Sequence, residues 1–221
     1  MTGDAPLLAL VFDAYGTLYD VHSVVRRCET CFPGKGTQLS QLWRAKQLEY
    51  TWQRSLMQRY VPFSQVTREA LAYSCAALGL DLGPHGEALM AEYLRLAPFA
   101  EVPGALERLQ MKRAILSNGS PDLLDPLVRN SGLRFDAVLS VNELKVYKPA
   151  PQVYELAVRR LKVAKERIGF VSSNCWDALG AKSYGFTVYW VNRTGAPVDA
   201  LGFTPDAQVR SLAELADEVL R

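Results

Sequence analysis

The sequence predicts an α/β fold: a Rossmann-like parallel sheet with helices on both faces, interrupted after its first strand by a helical insert. Three observations carry this reading. Five short runs rich in apolar and β-branched residues, LALVF, RAILS, AVLSV, IGFVS and TVYWV, recur along the 221 residues. Helical stretches lie between the later runs, the alternation expected of a parallel sheet covered on both faces. Residues 20 to 100 hold no convincing strand and instead return apolar residues at helical spacing.

Taken in order, LALVF ends abruptly on Asp13, with Gly16 and Thr17 in the turn beyond it. The insert comes next. Its apolar stripes are Leu42, Ala45, Leu48, Trp52 and Leu56, then Leu71, Cys75 and Leu78, then Leu89, Tyr93 and Leu96, punctuated by Pro62, Gly83-Pro84 and Pro98. This places a helical subdomain at 20–100 and an α/β core at 1–19 and 101–221. GALERLQ leads into RAILS, which ends in SNGS; DLLDPLVRNSG leads into AVLSV, followed by NELKVYKP. QVYELAVRRLKV leads into IGFVS, which ends in SSNCWD; WDALGAKSYG leads into TVYWV, and SLAELADEVLR forms a last helix.

Composition narrows the function. The formal net charge of +2 comes with no block of like charges, so nucleic acid and membrane surfaces gain no support as partners. The N-terminal stretch lacks a basic leader and carries Asp4 before its apolar run, and no apolar segment approaches ~18 residues, so a cytoplasmic protein is expected. Four cysteines are too few for a disulfide framework in a chain of this length. Cys28 and Cys31 form a lone C-x-x-C with no second pair and only His22 and His85 as histidines, which reads as ordinary helix cysteines rather than a zinc or redox site.

In open parallel sheets the ligand sits beyond the carboxyl ends of the strands. The residues there are Asp13 and Thr17, then Ser117 to Ser120, then Lys148, then Ser172, Ser173, Asn174 and Asp177. Each has an ordinary alternative as a helix cap, turn former or solvated lysine. Four loops directing a carboxylate, a lysine, a second acid and small polar groups to one crevice point instead to a catalytic site.

FDAYGTL, SNGS, KVYKPAPQVY and SSNCWDALGAKSYGF resemble the four motifs of the haloacid dehalogenase superfamily, and the helical insert resembles that family's cap. Within it the chain is similar almost end to end to the type II L-2-haloacid, or (S)-2-haloacid, dehalogenases, including the cap stretch LWRAKQLEYTWQRSLM. The resemblance implies the haloacid dehalogenase fold and hydrolysis of short (S)-2-haloalkanoic acids to (R)-2-hydroxy acids through an ester on Asp13, with no cofactor. It assigns Lys148 and Asp177 to catalysis, Asp177 activating or positioning the hydrolytic water. Thr17, Tyr154, Ser172 and Asn174 become supporting polar residues. Ser117 is implied for the substrate carboxylate, Arg44 and Asn118 for the halide, and Tyr15, Leu48, Phe63 and Trp176 for an apolar wall. Ala45 stands where close relatives are expected to carry glutamine, which puts pocket volume in question. A homodimer is implied as well.

The competing readings are a Mg²⁺-dependent phosphatase of the same fold and a non-catalytic binding protein. Phosphoryl transfer needs a metal held by several oxygens, and superfamily phosphatases typically carry D-x-D in the first motif and further acids in the fourth. Here Tyr15 replaces the second Asp, and Ser172, Ser173 and Asn174 stand where ligands would cluster. The complete nucleophile, lysine and acid set argues against a mere binder. Alanine at Arg44 or Lys148 is expected to cost turnover while leaving melting near wild type.

Overall fold

A computed structural model describes residues 6–220. Residues 1–5, which include Asp4 of the N-terminal stretch, and residue 221 lie outside it. Six parallel strands form one sheet in the order β3-β2-β1-β4-β5-β6. They are β1 (Ala9–Phe12), β2 (Lys112–Ser117), β3 (Ala137–Ser140), β4 (Ile168–Ser172), β5 (Thr187–Val191) and β6 (Ala207–Val209). This is the doubly wound order, with its switch point between β1 and β4, where successive crossovers leave in opposite directions. Helices α5 (Val102–Arg108), α6 (Pro121–Ser131), α7 (Pro151–Leu161), α8 (Cys175–Tyr184) and α9 (Leu212–Val219) surround it. α7 packs with α8, and α5 with α9, as right-handed crossovers on opposite faces require.

β1 and β4, the central pair, are buried at every residue. They run in register, Ala9 beside Ile168 through Phe12 beside Val171, and the Asp13 N–H continues the ladder to the Val171 carbonyl at 2.9 Å. A Cβ at Gly169 would lie 2.6 Å from Leu10 Cδ2, so a side chain there would push the Leu10 tip aside. The sixth strand is not legible in sequence: AQV is three residues long and its middle residue is exposed.

Between β1 and α5 lie α1 (His22–Cys31), α2 (Gly36–Leu56), α3 (Phe63–Ala77) and α4 (Gly86–Glu92). Tyr19 bridges Pro98, Asp20 N donates to Ala97 O at 2.8 Å and Phe99 N to Leu18 O at 3.0 Å, so the outgoing and returning chains run side by side. One expectation is corrected. The buried face of α2 is Leu39, Trp43, Gln47 and Thr51, not the stripe from Leu42 to Leu56; Trp52 and Leu56 are 37% and 86% exposed. Hydrophobic pattern misplaces this face because the polar residues on it find partners. Gln47 Nε2 donates to Thr67 Oγ1 at 3.0 Å, and Tyr93 OH donates to Gln47 Oε1 at 3.1 Å. The Cys28 thiol is buried on α1, where burial, with Cys31, Cys75 and Glu92 nearby, pushes it up to about 12, an inert thiol.

Candidate active site

Asp13 leaves β1 at the switch point and enters a turn that Gly16 makes possible with φ of +83°. The amides of Gly16, Thr17, Leu18 and Tyr19 are all used inside that turn, which fixes it. The Asp13 carboxylate is held from three sides. Lys148 Nζ donates to Oδ1 at 3.1 Å, while Thr17 Oγ1 at 3.2 Å and Asn174 Nδ2 at 2.9 Å donate to Oδ2. Asn174 occupies the N-cap position of α8 without capping it; its amide is spent on Asp13 instead.

Behind the nucleophile lies a fully enclosed layer. Lys148 is 1% exposed and Asp177 is 0% exposed. Lys148 Nζ donates to Asp177 Oδ2 at 2.9 Å, Tyr154 OH donates to Asp177 Oδ1 at 2.9 Å, and the ammonium sits 5.0 Å from the Phe170 ring centre. Burial opposes the Lys148 charge, but the two carboxylates outweigh it and hold its pKa above the usual lysine value. Asp177 goes the other way: burial pushes it up to about 6 against the attraction of Lys148, and Asp13 adds to the push. Tyr154 and Tyr15 are raised by burial and stay neutral hydroxyls. Ser172 Oγ accepts from Asn174 N at 3.2 Å and so sets the start of α8.

In front of Asp13 is a small cavity of ~10 Å³ for a water-sized sphere. Its wall is Asp13, Tyr15, Arg44, Leu48, Phe63, Ser117, Asn118, Asn174 and Trp176. The sequence-predicted residues thus divide cleanly: these nine face the cavity, while Thr17, Lys148, Tyr154, Ser172 and Asp177 stand behind. Asn118 Oδ1 accepts from Lys148 N at 3.0 Å, which leaves its Nδ2 donors for the cavity. Ser117 Oγ accepts from Gly119 N at 3.0 Å and keeps its own proton to donate. Gly119 is obligatory, because a Cβ there would lie 2.9 Å from the Tyr15 ring.

Two expectations change. Tyr15 and Trp176, expected as apolar wall, carry in Tyr15 OH and Trp176 Nε1 buried polar atoms with no protein partner, and both residues line the cavity. Orphaned donors on a cavity wall mark a place for an acceptor. Ala45 is exposed on α2 and does not line the cavity. Lys148 is also too deeply paired for its loss to leave melting near wild type, because removing one member of a buried ion cluster strands the others.

The residues do not fit Mg²⁺. Among the described residues no group of three His, Cys, Asp or Glu side chains is placed to hold a metal ion. Asn174 Nδ2 reaches both Asp13 Oδ2 and, at 3.4 Å, the Tyr15 carbonyl, so an N–H group bridges oxygens that a cation would have to share. Sequence reasoning misses Arg193, which donates to the carbonyls of Gly16 and Thr17; the signal that finds it is the same strand-end rule, extended to the loop after β5.

This arrangement has close relatives. The chain is 53% identical over 214 residues, 94% of its own length and 92% of the other's, to (S)-2-haloacid dehalogenase of Pseudomonas sp. strain YL. It is 50% identical over 208 residues to haloacetate dehalogenase H-2 of Moraxella sp. strain B, covering 91% and 92%. The structure of L-2-haloacid dehalogenase from Xanthobacter autotrophicus with chloropropionic acid covalently bound superposes with a TM-score of 0.91 at 42% identity, over 97% of this chain and 98% of that one. The family model for haloacid dehalogenase-like hydrolases matches residues 7–185, from the strand that delivers Asp13 through the helix that delivers Asp177, and the chain belongs to that family.

Proposed function

We propose that the chain is an (S)-2-haloacid dehalogenase, a hydrolase of carbon–halogen bonds that works through an ester on Asp13. The observation that carries this is the donor arrangement. A carboxylate held by Lys148, Thr17 and Asn174 faces a cavity whose other walls offer Arg44, Asn118 and the unpartnered Tyr15 and Trp176 groups. The names of the relatives and the covalent chloropropionic acid of the Xanthobacter enzyme support the same reading. The phosphatase alternative is not favoured, since the oxygens it would give to Mg²⁺ are bridged by an amide donor.

In the first step an Asp13 oxygen forms a bond to C2 of the substrate as the carbon–halogen bond breaks, and the halide leaves with the electron pair. Holding the carboxylate in line contributes about 7–11 kcal/mol of the barrier reduction. The substrate is itself an anion beside an anion; Ser117 and the Ala14 and Tyr15 amides, which the turn does not use, receive its carboxylate, and Arg44, Asn118 and Trp176 Nε1 receive the halide. In the second step water adds to the Asp13 carbonyl carbon, the bond from that carbon to the ester oxygen breaks, and the 2-hydroxy acid leaves with one net proton released. Both Asp177 oxygens accept hydrogen bonds, from Tyr154 and Lys148, so Asp177 acts by holding the Lys148 ammonium against Asp13, where its charge stabilises the oxyanion formed as water adds to the ester carbonyl.

Residues 20–100 act as a cap over a core of 1–19 and 101–221. The small cavity suits a closed state, and Ser64 N to Ser120 Oγ at 3.0 Å and Tyr60 OH to Asn142 Oδ1 at 3.0 Å fasten it on one side. Exposed Leu56, Met57 and Tyr73, on and beside α2 and α3, offer a homodimer face, testable by sedimentation. Four free cysteines suit a reducing cytoplasm, and no helix among the described residues is long and apolar enough to cross a membrane.

The test is a single turnover of (S)-2-chloropropionate in H₂¹⁸O with enzyme in excess. The first product should be unlabelled, with ¹⁸O in the Asp13 peptide. Label in the hydroxyl of the first product would make Asp13 a general base for direct attack by water.

A further inference from the structure

Arg193 stands directly after β5, one position beyond the buried Asn192. Asn192 closes its own loop, accepting from Ala196 N at 3.0 Å and donating from Nδ2 to Ala196 O at 2.8 Å, which presents Arg193 toward β1. Its guanidinium forks onto two successive carbonyls of the nucleophile turn: Nη1 donates to Gly16 O at 3.2 Å and Nη2 to Thr17 O at 3.0 Å. Nη2 also donates to Glu101 Oε1 at 2.9 Å, and Cζ lies 3.8 Å from the Phe99 ring centre. Phe99 and Glu101 belong to the chain returning from the inserted helices, and Phe99 N pairs with Leu18 O. One side chain, 19% exposed, thus holds both the turn that carries Asp13 and the connection on which the insert is hung.

We propose that Arg193 is a positioning residue for the displacement at C2, setting where Asp13 points and tying that direction to the seating of the inserted helices. The route to the nucleophile is short. Arg193 and Ser173 Oγ share the Gly16 carbonyl, Ser173 N donates to Thr17 Oγ1 at 2.9 Å, and Thr17 Oγ1 donates to Asp13 Oδ2. Only a planar fork can hold two successive carbonyls this way; a lysine keeps the charge and loses the geometry. The amides of the turn are bonded within it, and Arg193 fixes its outward carbonyls against the chain returning from the insert. A back-side displacement is intolerant of error, with a misplacement of ~1 Å costing about 10²-fold.

The inference rests on the dehalogenase reading, so the test separates the two. Arg193→Ala, Arg193→Lys and wild type are mixed in excess with (S)-2-chloropropionate, following chloride release and the mass of the Asp13 peptide. The amplitude counts folded sites; the rate constant reports geometry. Both variants should alkylate Asp13 at full amplitude with a rate constant about 10–100-fold below wild type, and added guanidinium ion should restore part of the Arg193→Ala rate. Reduced amplitude at the wild-type rate constant means that Arg193 only stabilises the fold, and overturns the proposal, as does a wild-type rate in both variants. If Arg193→Ala does not fold, Arg193→Lys decides by the same two numbers. A wild-type enzyme that forms no Asp13 ester overturns the dehalogenase reading itself, and this inference with it.

Discussion

Replacing Lys148 by methionine keeps the stem of the side chain and deletes its charge, which isolates what the ammonium does between two carboxylates. Lys148 Nζ lies 3.1 Å from Asp13 and 2.9 Å from Asp177, with essentially no solvent access. Breaking such a cluster costs about 3–5 kcal/mol, or a fall in melting temperature of about 6–20 °C for a chain of this size. The loss should depend on pH with a definite sign. Asp177 already titrates near 6 while Lys148 attracts its charged form, and removing that attraction raises it further. A carboxyl whose folded pKa is raised favours folding while protonated and loses that contribution as pH rises through the folded value. The Lys148→Met deficit should therefore be largest at about pH 7.5 and shrink toward about pH 4.5, where one carboxyl takes up the proton that replaces lysine. Turnover should fall about 10²–10³-fold, the scale for removing one buried electrostatic stabiliser. Calorimetry at the two pH values and chloride release from (S)-2-chloropropionate provide the readouts. A melting temperature within about 2 °C of wild type at the higher pH, or an equal deficit at both, would refute the reasoning.

Asp177→Asn should slow ester hydrolysis more than ester formation, so that mass spectrometry finds the Asp13 peptide carrying the acyl-linked acid; equal slowing of both steps would place Asp177 in the displacement instead. In the wild type the hydrolysis rate constant should fall as pH drops through about 6, where Asp177 takes up a proton and its hold on Lys148 weakens, and should fall more steeply than that of the displacement. Excess EDTA should leave turnover unchanged, and a loss restored by Mg²⁺ would contradict the donor-rich site. One back-side attack at C2 predicts (R)-lactate from (S)-2-chloropropionate, with retention or racemisation on chiral chromatography as the contrary result. Gly180→Ala should lower turnover by displacing Tyr154, since a Cβ there would meet Tyr154 OH and Pro149 Cβ, each at 2.5 Å.

Much of this site is legible because the parallel sheet makes strand ends converge. Asp13, Asn118 and Asn174 lie just past the carboxyl ends of strands, Ser117 ends β2 and Lys148 comes from the loop after β3, and the α/β order is carried by apolar runs alternating with helices. The features that escape depend on partners that sequence does not display. The inward face of α2 is misplaced because Gln47 and Thr51 look solvent-facing until Thr67, Tyr93 and the Leu48 carbonyl are brought to them. Tyr15 and Trp176 read as apolar because a ring announces its area and conceals whether its donor has been left without a partner. Lys148 and Arg44 look equivalent as cations in the sequence, yet one is sealed behind Asp13 and the other lines the cavity.

The exchange of donors for acceptors explains why a tyrosine can stand two residues after Asp13 where a phosphatase carries a second acid. A phosphoryl site must gather oxygens around a cation and supply a proton to an ester oxygen as it leaves. Around Asp13 the opposite has been gathered: the ammonium of Lys148, the amide of Asn174 and the hydroxyl of Thr17. The cavity wall continues the theme with Arg44, the Asn118 amide, the Trp176 indole and the Tyr15 hydroxyl. A 2-haloalkanoate presents acceptors at both ends, a carboxylate and a departing halide. Halide leaves as a stable anion and takes no proton, so an acid at position 15 would add only repulsion toward a substrate that is already negative.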